Sequence, residues 1–153
     1  MRRNCERQHK IAGLMHLMLY VNRQHRIMAD AGISKLGIHS SQHHMLVIIA
    51  KNSNICQKEI AQRLEISSAA VAVTLNKLEA SGLIVRNPSY DDARMNRISI
   101  TDKGNELLKS TRAMFSELDE RFFEGITDEE LEAMKSLFCR LAENLKGIAD
   151  SQR

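Results

Sequence analysis

The sequence predicts a mainly helical fold carrying one small β-hairpin, and three observations predict it. Seven Gly and one Pro among 153 residues leave few forced breaks in helices. Apolar residues recur in steps of three and four over most of the chain. Only two short runs change to a period of two, Leu83–Arg86 and Arg97–Ile100, on either side of a polar loop. With aromatics at 4%, the core must be built from Leu, Ile, Val, Ala and the eight Met.

Cys5 to about Ala31 reads as one long helix, with Ile11, Leu14, Met15, Met18, Val21 and Met28 at helical spacing. Gly32 is the expected C-cap and Gly37 lies in the loop that follows. Ser40 or Ser41 is placed to cap a second helix through about Lys51. Asn52-Ser53-Asn54 is a turn cluster. Gln57 to Leu64 is a short helix with Ile60, Ala61 and Leu64 on one face, Glu65-Ile66 is a tight connection, and Ser67 caps a helix running to about Ala80. Ser81-Gly82 stops it. Leu83–Arg86, ended by Pro88, and Arg97–Ile100 are the two strands, joined by the polar loop from Ser89 to Asn96. A charged hairpin directly after two short helices with a tight turn is a wing. The expected architecture is therefore a winged helix-turn-helix flanked by N- and C-terminal helices.

Thr101 caps a long helix to about Glu124, which Gly125 breaks. Thr127 and Glu130 form a capping box, each side chain satisfying an exposed N–H of the helix start. Leu131, Met134, Phe138, Leu141, Leu145 and Ile148 then form a narrow seam of coiled-coil type. A chain this small can hardly bury that seam alone, so a second copy is the expected cover, through an isologous interface.

Composition excludes several classes. No stretch of about 18 uninterrupted apolar residues is present, so no span of a membrane is expected. The basic Met1–Cys5 followed by apolar Ile11–Val21 imitates a signal peptide. However, His16 interrupts the apolar run and the helical pattern continues through Arg26, so the segment reads as a mature helix. Cys5, Cys56 and Cys139 are odd in number and widely spaced, which points to a reducing compartment and a cytoplasmic protein. Residues 1–50 hold seven Lys/Arg against two acids, 51–100 seven against five, and 101–153 eight against twelve. A basic front and an acidic back suit a protein that faces a polyanion with one side; solvated helix faces give the same pattern. No nucleophile–base pair, Gly-rich phosphate loop or HExxH-type motif is present, so an enzyme is not expected.

A helix-turn-helix places its second helix in the major groove of DNA. The 3.6-residue turn puts Ser67, Val71, Thr74, Leu75 and Leu78 on the inward side of the helix after Ser67, and Ala69, Val73, Asn76 and Ala80 on the other. The outward face is small and apolar apart from Asn76. It faces either the groove or a neighbouring element, and the groove is favoured because the inward side is already filled.

The ordered series Gln57-Lys58-Glu59-Ile60-Ala61-Gln62-Arg63-Leu64, Ile66-Ser67, Val71, Lys77-Leu78-Glu79, Gly82-Leu83-Ile84, Arg86, Asp92-Ala93-Arg94 and Ile100-Thr101-Asp102-Lys103-Gly104 resembles the MarR family. Ile38 to Leu46, with Gln42, also fits. The resemblance implies a homodimer built from the terminal helices, with residues 1–36 and 102–153 serving dimerisation and 37–101 binding DNA. It implies double-stranded, pseudo-palindromic DNA, and regulation of transcription, usually as a repressor released by a small ligand or an oxidant. Arg94 matches the family's wing-tip arginine, which enters the minor groove, and Asp92 the acid that orients it. Ser67, Ser68, Lys77, Arg86 and Arg97 form the set that anchors phosphates. With Ala69, Val73 and Asn76 these are the expected DNA-contacting residues. Ala93, Ala72, Val73 and Glu65 depart from residues common in the family, so no particular operator sequence carries over.

By the same analogy an effector pocket lies between the first helix, the second helix and the DNA-binding lobe, where His16, Tyr20, Arg26, His39 and His43 would suit a small anionic aromatic molecule. Half-buried core roles are the plain alternative for His16 and Tyr20. His39 and His43 stand four apart but have no paired acid or Cys near in sequence, so neither a metal site nor a cofactor is expected. Cys5 has Arg2, Arg3 and Arg7 nearby, which would lower a thiol's pKa. The rival functions are a metal- or redox-responsive regulator of the same fold, and a winged-helix module that binds protein only.

Overall fold

A computed structural model describes residues 2–88 and 96–151, with residues 2–4 and 96 described by backbone alone. The element order is α1 (Arg2–Lys35), α2 (Ser40–Lys51), β1 (Ile55–Cys56), α3 (Gln57–Leu64), α4 (Ser68–Ala80), β2 (Ile84–Pro88), β3 (Asn96–Ile100), α5 (Asp102–Phe122) and α6 (Asp128–Asp150). The chain divides into two compact units, Met1–Leu118 and Asp119–Arg153. The architecture is a winged helix, as the periodicity predicts.

In the first unit the core is aliphatic. Met45, Leu46 and Ile49 of α2, Ile60 of α3, Val71, Leu75 and Leu78 of α4, and Ile84 and Ile98 of the sheet are all at most 1% exposed. Truncating any of the larger ones to alanine would cost about 2–5 kcal/mol, the transfer term plus the cavity left behind. The three strands run in the order β1-β3-β2, antiparallel throughout. Ile84 pairs with Ile100, Arg86 with Ile98 and Pro88 with Asn96, so β2 continues through the proline expected to end it. Proline at the last position of an edge strand loses little. β1 is only two residues, Ile55 opposite Ile98 and Cys56 opposite Arg97, too short to show any alternation in sequence.

Two helix ends differ from the sequence expectation. α1 does not stop at Gly32; it runs to Lys35, and the left-handed residue that ends it is Gly37, at φ 82°. Gly32 serves close packing instead: a Cβ there would lie 2.6 Å from Sδ of Met114 on α5. α2 begins at Ser40, but the exposed N–H at its start, that of His39, is bound by the Gln42 side chain at 2.9 Å. Ser40 Oγ bonds Asp30 Oδ1, fastening α2 to α1.

The end of α4 has the Schellman geometry. Leu83 N–H donates to Leu78 O at 2.9 Å and Gly82 N–H to Glu79 O at 2.8 Å, with Gly82 at φ 69°. Buried Leu78 and Leu83 supply its hydrophobic contact. Thr101 joins three segments. Its N–H donates to Leu83 O at 3.1 Å, its hydroxyl donates to Gly82 O at 2.7 Å, and the same oxygen accepts from Gly104 N–H at 3.1 Å. That cap starts α5.

In the second unit the capping box of α6 is present: Thr127 N–H donates to Glu130 Oε2 at 2.9 Å and Glu130 N–H to Thr127 Oγ1 at 3.3 Å. Gly125 lies at φ 83° before it. Met134, Phe138, Leu141, Leu145 and Ile148 are all exposed in the single chain.

Candidate nucleic-acid interface

The helix-turn-helix is built from α3 and α4. Cys56 N–H donates to Glu59 Oε2 at 2.8 Å, which closes the first turn of α3. That bond to the backbone, ahead of the bond to the Cys56 side chain and the nearby Arg97, holds the exposed Glu59 carboxyl below the usual carboxylate range. The turn is made by Glu65 in the left-handed region, at φ 54°, and Ile66 N–H donates back to Ala61 O at 3.2 Å. The glutamate that departs from the family pattern thus occupies a backbone conformation glycine adopts without cost.

Ser67 caps α4 by accepting from Ala70 N–H at 3.2 Å. Beyond it the helix sorts by period. Val71, Leu75 and Leu78 are completely buried. Ser68, Ala69, Val73, Asn76, Lys77 and Ala80 are exposed, Val73 at 57%. Two of the five residues read as inward are not buried: Ser67 is exposed as the cap, and Thr74 is partly buried with its hydroxyl donating to Ala70 O at 3.1 Å. Both roles use a side-chain oxygen on local backbone, a habit of Ser and Thr at helix starts. The result is a capped helix start, followed by an exposed stripe of Ala69, Val73, Asn76 and Ala80 with the charged Lys77 and Glu79 beside it. Such an end favours phosphate oxygens.

The two arginines at the wing root are engaged within the chain. Arg86 on β2 donates through Nη2 to Asn76 Oδ1 at 2.7 Å and stands 3.5 Å from Glu79. Arg97 on β3 donates to Asn54 O at 3.2 Å and stands 3.9 Å from Glu59. Ser99 Oγ adds a bond to Asn54 Oδ1 at 2.9 Å, and Gln57 Nε2 donates to Ser68 O at 3.0 Å. Asn54, Gln57, Glu59 and Glu79 are thus parts of this surface to which sequence reasoning gave no role. Polar residues on the surface carry no local sign of such contacts, and only the tertiary placement of the strands brings Asn54 and Glu59 to Arg97 and Glu79 to Arg86. Asp92 and Arg94 lie outside the described residues.

The five residues read as an effector pocket are not gathered into a cavity among the described residues. His16, Tyr20, Arg26 and His39 are exposed, Tyr20 at 56%. His43 is buried; its Nε2 lies 3.2 Å from Thr111 Oγ1 and its ring 5.6 Å from that of Phe115. Since the Thr111 hydroxyl donates to Leu108 O at 3.0 Å, Nε2 must carry the imidazole proton. Nδ1 is buried without a hydrogen-bond partner among the described residues. Desolvation, and then the neighbouring His44, lower the His43 pKa. An open hollow of about 390 Å³ on α5, lined by Asp102, Asn105, Glu106, Leu108, Lys109 and Arg112, involves none of the five. Among the described residues no helix is long and apolar enough to cross a membrane.

Residues 36–95 match the MarR family model. The HTH-type transcriptional regulator YdgJ of Bacillus subtilis is 25% identical over 112 residues, 73% of this chain and 68% of its own. The HTH-type transcriptional repressor MdtR of the same organism is 27% identical over 111 residues, 72% of each chain. Among solved structures, a mutant of Staphylococcus aureus MepR bound to an oligodeoxyribonucleotide superposes with a TM-score of 0.69 at 25% identity, covering 86% of this chain and 97% of MepR. A family match centred on the helix-turn-helix, joined to a fold shared over nearly the whole of that relative, makes the chain similar to the MarR family of winged-helix regulators.

Proposed function

We propose that this protein is a sequence-specific double-stranded DNA-binding regulator of transcription, a homodimeric repressor that a small anionic aromatic effector releases. The observation that carries the DNA reading is α4: a helix anchored by three fully buried residues, capped at its start by Ser67, with Ser68, Ala69, Val73 and Asn76 left exposed on its far side. Val73 at 57% exposure has no packing role inside the chain, which favours the groove over a neighbouring element. The DNA-bound state of MepR supports the same reading.

Dimerisation is supported by the exposed apolar rows on α1 and α6, among them Leu14, Leu17 and Tyr20, and Phe138, Leu141 and Leu145. A pseudo-palindromic operator follows from two-fold symmetry. His16, Tyr20, Arg26 and His39 offer cationic and aromatic groups to an anionic ring, and His43 is buried in α2 beside Gln42; a reducing cytoplasm is the setting in which the three free thiols persist. The protein acts by binding, without a catalytic step.

Selection of bound sequences from a random duplex library tests the proposal. A conserved inverted repeat, with affinity that falls steeply as salt rises, is the expected result. Retention of no sequence above background would overturn it. Addition of benzoate to the complex tests release: a rise in Kd supports an anionic aromatic effector, and an unchanged Kd removes that class.

A further inference from the structure

Alternation along β2 puts Ile84 and Arg86 on one face of the strand, the face that packs beneath α4. On α4, Asn76 and Glu79 stand three residues apart, one above the other on the same side. The Arg86 side chain, 24% exposed, rises between them; it bonds Asn76 Oδ1 at 2.7 Å and stands 3.5 Å from Glu79 Oε2. The carboxylate holds the guanidinium in place and neutralises it. Arg86 is therefore committed to the helix, where sequence reasoning placed it on phosphates.

The chemistry of this contact fixes the Asn76 amide. A guanidinium has five N–H donors and no acceptor, so the amide atom that faces it must be the oxygen. The amide NH2 is then turned away from β2. Asn76 is exposed on the same side of α4 as Ala69 and Val73. Without Arg86, an asparagine in the major groove can present oxygen and NH2 together to adenine, accepting from N6 and donating to N7. With Arg86 in place, turning the oxygen toward a base breaks the 2.7 Å bond, or brings the guanidinium beside the amino group of adenine, donor against donor.

We propose that Arg86 is a specificity-determining positioning residue that makes Asn76 a hydrogen-bond donor, so that the base beneath Asn76 is selected for an acceptor edge and adenine is disfavoured. The major-groove acceptors are O6 and N7 of guanine, O4 of thymine and N7 of adenine; adenine sets its N7 beside the N6 amino donor, which a donating amide leaves unpaired, whereas guanine offers two acceptors side by side. The proposal rests on the DNA-binding reading and deepens it. Glu79 belongs to the same device, because it keeps the guanidinium from leaving Asn76 for a phosphate.

The test is selection from a random duplex library with the full-length chain and four variants, read as base frequencies per position alongside the salt dependence of affinity. Wild type should favour guanine or thymine over adenine at one position per half-site, and Asn76→Ala should flatten that position alone. Arg86→Met should admit adenine there, changing its frequency by roughly fivefold or more, the weight of about one hydrogen bond. Arg86→Lys, which still only donates, should restore the wild-type preference. Asn76→Asp is exposed and close to isosteric, so it serves even if Arg86→Met does not fold. It keeps the partner of Arg86 but removes the donor, and should move the preference toward the amino group of cytosine. The proposal is overturned if Asn76→Asp and Asn76→Ala leave every position as in wild type. It is also overturned if a folded Arg86→Met weakens all sequences equally with a salt slope smaller by about one, the behaviour of a phosphate contact. A wild-type chain that selects nothing refutes the DNA-binding reading itself, a different and recognisable outcome.

Discussion

Replacing Gly104 by alanine puts one methyl group between two segments of backbone. The added Cβ would lie 2.4 Å from the Leu83 carbonyl oxygen and 2.6 Å from Cγ1 of Ile100. Ordinary contact begins near 3.4 Å, so the first turn of α5 and the start of the wing must part by roughly an ångström. Leu83 O is held by Thr101 N–H, so it does not move alone. Overpacking typically costs about 1–3 kcal/mol, and a clash with backbone belongs at the upper end. Alanine returns about 1 kcal/mol of helix propensity, which leaves a net loss of about 2 kcal/mol. For a chain of this size that lowers Tm by about 4–8 °C. Gly32→Ala is the matched control. Its new Cβ meets Met114 Sδ at 2.6 Å, the far end of a flexible side chain that can swing aside. There the propensity gain offsets the repacking, and the net change should stay within about 0.5 kcal/mol. Urea unfolding of the two variants at equal protein concentration measures both, with unchanged m required for the comparison. Equal effects, or a Gly104→Ala variant as stable as wild type, would refute the reasoning from backbone contact.

Four further outcomes are expected. His43 is neutral in the folded chain with its pKa lowered by burial, so the unfolded state binds the proton first. Its stabilising effect is present above about pH 6.5 and is lost as pH falls below that value, at no more than about 1.4 kcal/mol per pH unit. His43→Gln should flatten the urea-midpoint profile between pH 8 and 5 relative to wild type, and parallel profiles would contradict this. Sedimentation at micromolar concentration should give one species of about twice 17.4 kDa, and a folded monomer would remove the dimer. Arg94→Ala should weaken operator binding by about 1–3 kcal/mol in a gel shift while leaving Tm unchanged, as loss of a minor-groove contact without loss of packing. The exposed Ala69 and Val73 can offer only apolar surface to a base; on the proposal that they meet the groove, replacing thymine by uracil in the half-sites should reduce affinity, and Val73→Ala should blunt that reduction; insensitivity to uracil would make the outward residues mere spacers.

What the sequence made legible follows from the range of each interaction. The Thr127–Glu130 cap, the Ser67 cap and the burial of Val71, Leu75 and Leu78 are local or periodic, and a reader of the chain can find them. Gly32 was legible as a special position but not as to why: a glycine that ends a helix and one that admits a neighbouring side chain look alike until α5 is placed. β1 escaped because two residues have no period. On the candidate interface the exposed residues of α4 were readable, while the commitment of Arg86 to Asn76 and Glu79 was not. That contact depends on the register of β2 under α4, a tertiary quantity with no trace in local spacing. The same limit hid Asn54 and Glu59 behind Arg97.

Thr101 ties the last turn of α4, the first residues of the wing and the first turn of α5 through three hydrogen bonds, and Lys103 adds a fourth to Ser81 O at 2.8 Å. Ten residues along the same helix, about 15 Å away, Thr111 receives His43 from α2. Packed interiors shift as blocks and do not stretch. α5 therefore spans the lobe as one rigid strut, seated against α2 through Thr111 at one point and against the end of α4 and the start of the wing through Thr101 and Lys103 at the other, so the two contacts share one helix.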